Sequence, residues 1–493
     1  MVERKLISLS GGGCPLWRSY SLFKAAFSGF LLFFGLTGCQ SHPPRNLLWI
    51  VVDALRYDYL SCYGQKGIST PAIDSLAKKG ALFSRAYCSY PATLPSIASM
   101  FASTYPIYHG IKTNAQVLPD SLLTIAEILR GRGYQTAAVV SNPVLKKKTN
   151  IGKGFEFYDD QLPQKEINRD MRERDANLTA QAAIQWLVQS GKKEKFFLFV
   201  HFQDTHGPYY PHPELMNLLP KNRKGIQLEI GDKDQPDMIP SYQALENRKD
   251  VDYYLSNYAG EVIYTDRQIQ RLLAALQKIG AEEETAVIFT ANHGEALGEH
   301  HLYFKHGDFL HEPQIRVPLI IKIPGASPIK IPRIVEHIDL GPTVLDLFGL
   351  KKPKQFHGKS LLPFIDSKSQ EWEDLAFSQV GKDSNLALVD GPMKLVHFSG
   401  QKMLYDLRQD PGERKNIYTK EPEQTIRRLE QKMELYRNYA IKTPIVPKTL
   451  LDKKQQRLSK RWDTLNRRSA LHPIRRGRLS LFKQRPAFEP RKF

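Results

Sequence analysis

Residues 46–53 read NLLWIVVD: six consecutive apolar residues, with a carboxylate at the end. A run without polar alternation has no face to give to water. It is therefore expected to form a strand buried on both sides, as in parallel sheets covered by helices, with Asp53 at its C-terminal tip. Residues 136–140, 196–202, 286–290 and 317–323 have the same texture. Helical patterns lie between them: Thr70-Pro71 leads into Ile73, Leu76 and Ala77, and residues 122–129 and 263–279 carry apolar residues at helical spacing. Strands alternating with helices predict an α/β fold, a large and mostly parallel sheet flanked by helices. In such sheets ligands bind beyond the carboxyl ends of the strands.

The texture changes after about Ile365. Short strands at 386–388, 393–397 and 403–407 precede a helix over 423–440, with Ile426, Leu429, Met433 and Tyr436 on one stripe. This predicts a small α+β subdomain over 366–442, after a main domain over 45–365. The net charge of +19 is uneven, with roughly +13 in residues 442–493 and about +4 in the first 45. Residues 443–493 are expected to be a basic, solvated tail, suited to anionic lipid or a polyanion. Its aromatics are sparse, so specific nucleic-acid binding is not expected. At the other end, Lys5, Arg18 and Lys24 precede an apolar run over 25–36, too short for a comfortable membrane span. It reads as an export signal. The Leu36-Thr37-Gly38-Cys39 that follows resembles a bacterial lipobox, which implies cleavage before Cys39 within a 1–39 signal segment, a lipid on Cys39 and a place in the cell envelope. Cys14 would leave with the signal. Cys62 and Cys88 remain, with their pairing open.

Residues that bear chemistry collect at the strand tips. Asp53 ends the first strand; His201, Asp204 and His206 follow the strand at 196–202; Asn292 and His293 follow that at 286–290; Lys305 and His306 come soon after. Oxygen and imidazole donors converging on one sheet edge are what a divalent metal site requires. Thr93, in Tyr90-Pro91-Ala92-Thr93-Leu94-Pro95-Ser96, lies where a helix should begin. There it either caps the helix or places its hydroxyl in the field of the N-terminus, which favours an alkoxide and an anionic ester.

Eight blocks in order resemble the sulfatase family of the alkaline phosphatase superfamily. They are residues 46–53, 70–74, 93–96, Tyr105-Pro106 with His109-Gly110, 292–295, 316–320, Asp339 with Pro342-Thr343, and 404–407 with Asp410-Pro411. The resemblance implies an alkaline phosphatase-like mixed sheet and a metal-dependent hydrolase acting on an anionic ester. It implies Asp53, Thr93, Asn292, His293 and His306 around the metal. Calcium or zinc fits that role, with manganese also admitted. Thr93, His109, His206 and Lys305 would serve catalysis or hold the anionic group.

Departures from the family pattern are informative. Thr93 stands where the family has the cysteine or serine that becomes formylglycine, Ile97 replaces the arginine of the modification motif, and Asn292 replaces an aspartate. Formylglycine attacks as a hydrated aldehyde, and its second hydroxyl helps expel sulfate. Threonine has no second hydroxyl, so its ester must be released by water or another acceptor. The reading is thus a hydrolase of sulfate- or phosphate-type esters through a threonine nucleophile. Its alternatives are phosphoryl transfer like that of threonine-using phosphodiesterases and phosphoethanolamine transferases, or a degenerate, non-catalytic binding protein.

Overall fold

The computed structural model describes residues 44–191, 194–218, 225–232, 235–368, 371–439 and 447–450. The export segment with Cys14 and Cys39, and all of the basic tail except residues 447–450, lie outside the described residues. Among the described residues no helix is long and apolar enough to cross a membrane.

An eight-stranded sheet organises the main body. Its strands are β1 (Asn46–Val52), β2 (Ala81–Tyr87), β3 (Gln135–Val139), β4 (Phe157–Asp159), β5 (Phe196–Phe202), β6 (Thr285–Ala291), β7 (Arg316–Lys322) and β8 (Ile329–Glu336). They lie in the order β8-β2-β7-β6-β1-β5-β3-β4. All pairings are parallel except the two made by β7. The apolar run of β1 is buried throughout and sits between β5 and β6, parallel to both. That arrangement lets no strand of the three reach water, which is why none alternates.

Three strands, β2, β4 and β8, were not legible from apolar runs, β4 being only three residues long. Ser84 and Arg85 interrupt the first, and β8 is an edge strand carrying Lys330 and Pro332. An edge strand tolerates a proline, because one row of its backbone groups has no ladder partner.

Helix α1 (Pro71–Lys79) starts where Thr70-Pro71 predicted. Helix α2 (Thr93–Ala102) is buried at all ten of its positions. Its Phe101 packs edge-on against Phe199 of β5, with ring centroids 4.8 Å apart, and lies 6.2 Å from Trp49 of β1. Aromatic pairs of this kind add about 0.5–1.5 kcal/mol beyond burial, and here they fix where the other end of α2 lies. Helix α3 (Ala176–Ser190) is capped by Asp175, whose side chain accepts from the Leu178 amide. Helix α4 (Val251–Lys278) begins well before the predicted residue 263. Buried polar residues such as Asp252, Asn257 and Glu261 break its apolar periodicity.

The C-terminal subdomain is an antiparallel meander of β9 (Leu375–Gln379), β10 (Leu386–Asp390), β11 (Met393–Phe398) and β12 (Gln401–Asp406), with α5 (Glu423–Asn438). Leu429, Met433 and Tyr436 of α5 are buried, as the stripe predicted, in a core that also takes Tyr105, Ile107 and Ile338 from the main body. Cys62 and Cys88 are both free. One expectation needs correcting. Residues 448–450, assigned to the solvated tail, pair with 115–117: the Val117 amide donates to Lys448 O at 2.8 Å and the Leu450 amide to Ala115 O at 2.7 Å. Backbone pairing needs no apolar periodicity, so the sequence pattern did not show it.

A buried ion group ties the subdomain to the body. Lys394 of β11, fully buried, lies 2.6 Å from Glu413 and 3.2 Å from Glu312. Burial disfavours the Glu413 carboxylate, but Lys394 and His311 outweigh it and hold its pKa below the ordinary range. A depressed carboxylate pKa stabilises the fold above the unfolded value, and that stabilisation is lost as pH falls. Glu413→Gln leaves the ammonium under-compensated and should lower the unfolding free energy by about 3 kcal/mol in chemical denaturation at neutral pH.

Candidate active site

The carboxyl edge of the sheet is where the polar tips meet. Backbone pairing continues past the strand ends, because the Asp53 amide donates to Phe202 O (2.9 Å) and the Asn292 amide to Val52 O (3.3 Å). Asp53 is therefore clamped between the ends of β5 and β6, and it is completely buried. The Thr205 hydroxyl holds its carbonyl. Ala54 and Thr205, next to it, both have positive φ (53° and 82°), a strained conformation for residues with a Cβ.

Two amides fasten the Asp53 carboxylate. Asn292 Oδ1 accepts from the Ala54 amide (3.1 Å) and the His293 amide (2.8 Å), so its Nδ2 turns to Asp53 Oδ1 at 2.8 Å. Asn142 Oδ1 accepts from the Val144 amide (3.0 Å), and its Nδ2 donates to Asp53 Oδ2 at 2.8 Å. Backbone N–H groups can only donate, so the network fixes both amide orientations. This corrects the expectation for Asn292. It shows N–H, not oxygen, to the centre and cannot be a metal ligand in that orientation. Asn142 was missed, although Ser141-Asn142-Pro143 follows the tip of β3 and the strand-tip argument applied to it equally.

Imidazoles fill the other side. His293 Nε2 is 3.3 Å from Asp53 Oδ1, and His201 Nε2 is 3.4 Å from Asp53 Oδ2. The contact of His293 Nδ1 with Gly294 O at 2.9 Å places the proton on Nδ1, leaving the Nε2 lone pair facing the carboxylate. The His306 ring lies 4.3 Å from His293 and 4.9 Å from His206, and its Nδ1 is 3.1 Å from Glu295 Oε2. Burial disfavours the Asp53 charge, but the nearby His201, His206 and His293 side chains outweigh it and hold its pKa well below the usual range. Burial, with the neighbouring His306 also contributing, pushes His293 and His206 down to about 4, and burial pushes Glu295 up to about 8.

Thr93 is the first residue of α2, and Ala92 is the N-cap. The side chain of Thr93 thus does not cap the helix. Its Oγ1 lies 3.3 Å from both Asp53 oxygens and 3.5 Å from His293 Nε2. The Leu94 amide is satisfied by Asn114 Oδ1 at 3.0 Å. Ser96 fastens the same turn to Asn292 O at 2.5 Å.

Carboxylate oxygen and imidazole lone pairs facing one another at 3.3–3.4 Å are mutually repulsive unless a cation or proton lies between them. Neither ring nitrogen of buried His201 has a hydrogen-bond partner. Asp53, His201, His293 and the Thr93 hydroxyl therefore fit a divalent ion that accepts nitrogen ligands, such as zinc, better than the all-oxygen shell of calcium.

One expected site residue is used elsewhere. His109 is buried with Nε2 on the Ser99 hydroxyl (2.9 Å) and Nδ1 accepting from the Ile111 amide (3.0 Å). Ser99 lies farther along α2, in its interior, so His109 braces that helix. Lys305 directs Nζ to Gln235 O at 3.1 Å. Among the described residues, His300, His311 and Glu413 also bring ligand atoms within 4.8 Å of one another. There Lys394, 2.6 Å from Glu413, offsets the charge that a cation would need.

Residues 45–350 match the sulfatase family, and residues 298–439 match the C-terminal region of N-sulphoglucosamine sulphohydrolase. An N-acetylglucosamine-6-O-sulfatase of Bacteroides thetaiotaomicron is 23% identical, over 84% of this chain and 90% of its own. An arylsulfatase of Clostridium perfringens is 26% identical, over 76% and 90%. Among solved structures, one protein bound to its substrate D-glucosamine-2-N,6-O-disulfate superposes with a TM-score of 0.69 at 22% identity, over 82% of this chain and 99% of its own. A phosphonate monoester hydrolase of Agrobacterium radiobacter gives 0.65 at 22%, over 84% and 99%.

Burial pushes His109 down to about 3, with His357 and Lys112 acting in the same sense. The unfolded chain therefore takes up a proton below about pH 6.5 that the native state refuses, and stability falls as pH drops. His109→Gln should lower stability at neutral pH and shallow the acid-side loss by up to about 1.4 kcal/mol per pH unit in denaturant titrations. Turnover should stay within a few-fold of wild type; a complete loss in the folded variant would return His109 to the chemistry.

Proposed function

This chain belongs to the sulfatase family, a family of ester hydrolases, and we propose that it is a metal-dependent member cleaving sulfate- or phosphate-type esters through Thr93, with phosphoryl esters preferred. The observation that carries this reading is the position of Thr93 Oγ1 at a buried helix N-terminus, 3.3 Å from both Asp53 oxygens. Attack by that oxygen forms a threonine ester and expels the alcohol. Water then attacks the ester and returns the hydroxyl, as the lack of a second hydroxyl requires. Asp53 orients the Thr93 hydroxyl. His206 and His306 line the same space as imidazoles able to relay protons, and Glu295 backs His306. A divalent ion held by Asp53, His201 and His293 would lower the pKa of the Thr93 hydroxyl and balance developing charge.

Phosphoryl preference is supported by the chemistry of threonine and by the fold shared with a phosphonate monoester hydrolase. Curated relatives named as sulfatases keep sulfate esters within the reading. The amide that Asn292 turns toward Asp53 favours the non-catalytic alternative, since it takes an oxygen ligand from the centre. By the same reading of the N-terminal segment, the enzyme is exported and anchored through Cys39, and its basic tail meets anionic lipid.

Purified protein should turn over 4-nitrophenyl phosphate mono- or diesters faster than 4-nitrophenyl sulfate, and a chelator should remove that activity. Mass spectrometry of a quenched reaction should find the adduct on Thr93. Thr93→Ala should lower kcat by at least ~10³-fold, as loss of a nucleophile does, with unchanged thermal unfolding. Sulfate turnover by unmodified Thr93 in excess of phosphate turnover would reverse the preference. Protein free of metal and inert toward all these esters would leave the binding-protein reading. Asn292→Asp, which restores an oxygen facing the centre, should tighten divalent-ion binding in metal titrations and move its selectivity toward calcium.

A further inference from the structure

A cavity of about 280 Å³ is lined in part by His206 and bounded by the turn after β5, the start of α3 and the middle of α4. Four carboxylates line it: Glu173, Asp175, Asp204 and Glu261. The two basic side chains in its wall are engaged elsewhere, Arg174 with Asp159 at 2.8 Å and Lys165 with Asp170 at 3.2 Å. All four carboxylates have partners, Asp204 through the Ala176 amide. Asp175 caps α3 and accepts from Gln164. Glu261 accepts from the Tyr210 amide at 2.8 Å and faces His212 at 3.1 Å. Glu173 is hydrogen-bonded by Tyr210. Asp204 differs. It is only 9% exposed, and its Oδ2 has no hydrogen-bond partner; nor has Oε1 of neighbouring Gln203. A buried carboxylate oxygen left open beside a second buried carboxylate is unfavourable unless a cation or donor completes it. Burial and the nearby Glu261 accordingly push the Asp204 carboxyl up.

We propose that this cavity is a substrate subsite that takes a primary ammonium group, so that the preferred ester carries a short aminoalkyl substituent reaching past His206 to Asp204 and Glu261. The inference rests on the esterase reading for the reacting end of the substrate. His206 belongs to both spaces: its ring lies 4.9 Å from His306 and it lines the cavity. An ester held at Thr93 thus has the acidic cavity as a neighbour. Lined by carboxylates, that wall disfavours polyanionic chains and favours a cationic or zwitterionic ester. A three-donor ammonium can satisfy Asp204 Oδ2, Gln203 Oε1 and a Glu261 oxygen together.

The test pairs isosteres on the full, metal-loaded chain. Turnover of 2-aminoethyl 4-nitrophenyl phosphate is compared with that of propyl 4-nitrophenyl phosphate. Binding of O-phosphoethanolamine is compared with that of propyl phosphate by calorimetry. We expect the ammonium member to win by on the order of tenfold or more, mainly in KM and in Kd. Asp204→Asn and, separately, Glu261→Gln should bring both ratios toward one, thermal unfolding confirming that each variant is folded. Equal ratios in the wild-type protein overturn the proposal, as does a preference that survives both substitutions. So does calcium or magnesium filling the cavity, seen as ion binding lost in Asp204→Asn without any ammonium preference. If neither ester is turned over, the hydrolase reading fails, and the calorimetric ratio still decides the subsite.

Discussion

A negative charge completely shielded from water has to be compensated within a few ångströms, and in this protein that charge is Asp53. Two amides donate to its oxygens at 2.8 Å, two imidazoles face it at 3.3–3.4 Å, and the first residue of a buried helix directs its hydroxyl to it. The partners come from four separate parts of the chain, and the sheet order is what unites them. With β1 between β5 and β6, all three running the same way, His201, Asn292 and His293 reach one edge. The packing of Phe101 on Trp49 and Phe199 sets the height of α2, and so the position of Thr93. Moving β1 out of register with its neighbours would displace every one of these groups.

The central strands were legible because burial on both faces leaves a signature in six or seven residues. Asp53, His201 and His293 could be read from the strand tips by the same logic. What escaped depended on orientation rather than location. That Asn292 shows nitrogen instead of oxygen follows from two backbone amides, Ala54 and His293, which come together only in the folded chain. His109 has the composition of a site residue, yet Ser99 and the Ile111 amide claim it. The edge strand with Pro332 and the 448–450 pairing are held by backbone bonds, which have no side-chain periodicity.

Around Thr93 the centre is rich in imidazole and has one fastened carboxylate; the cavity that His206 also lines is rich in carboxylate and has an open oxygen. The two spaces thus differ in the sign of what they attract. An anionic ester group suits the helix N-terminus and the metal donors, and its opposite suits Asp204. A single histidine wall lets one small zwitterion address both.

The Lys394–Glu312–Glu413 group means that the C-terminal meander is no detachable module. The seam near residue 365, where the chain passes from the main body to the meander, looks like a natural crossover point for recombining relatives. Yet Glu312 lies on one side of it and Lys394 and Glu413 on the other. A chimera joined there inherits half of a buried charge balance from each parent. Exchange between such sequences is constrained to pairs that match at three positions far apart in the chain.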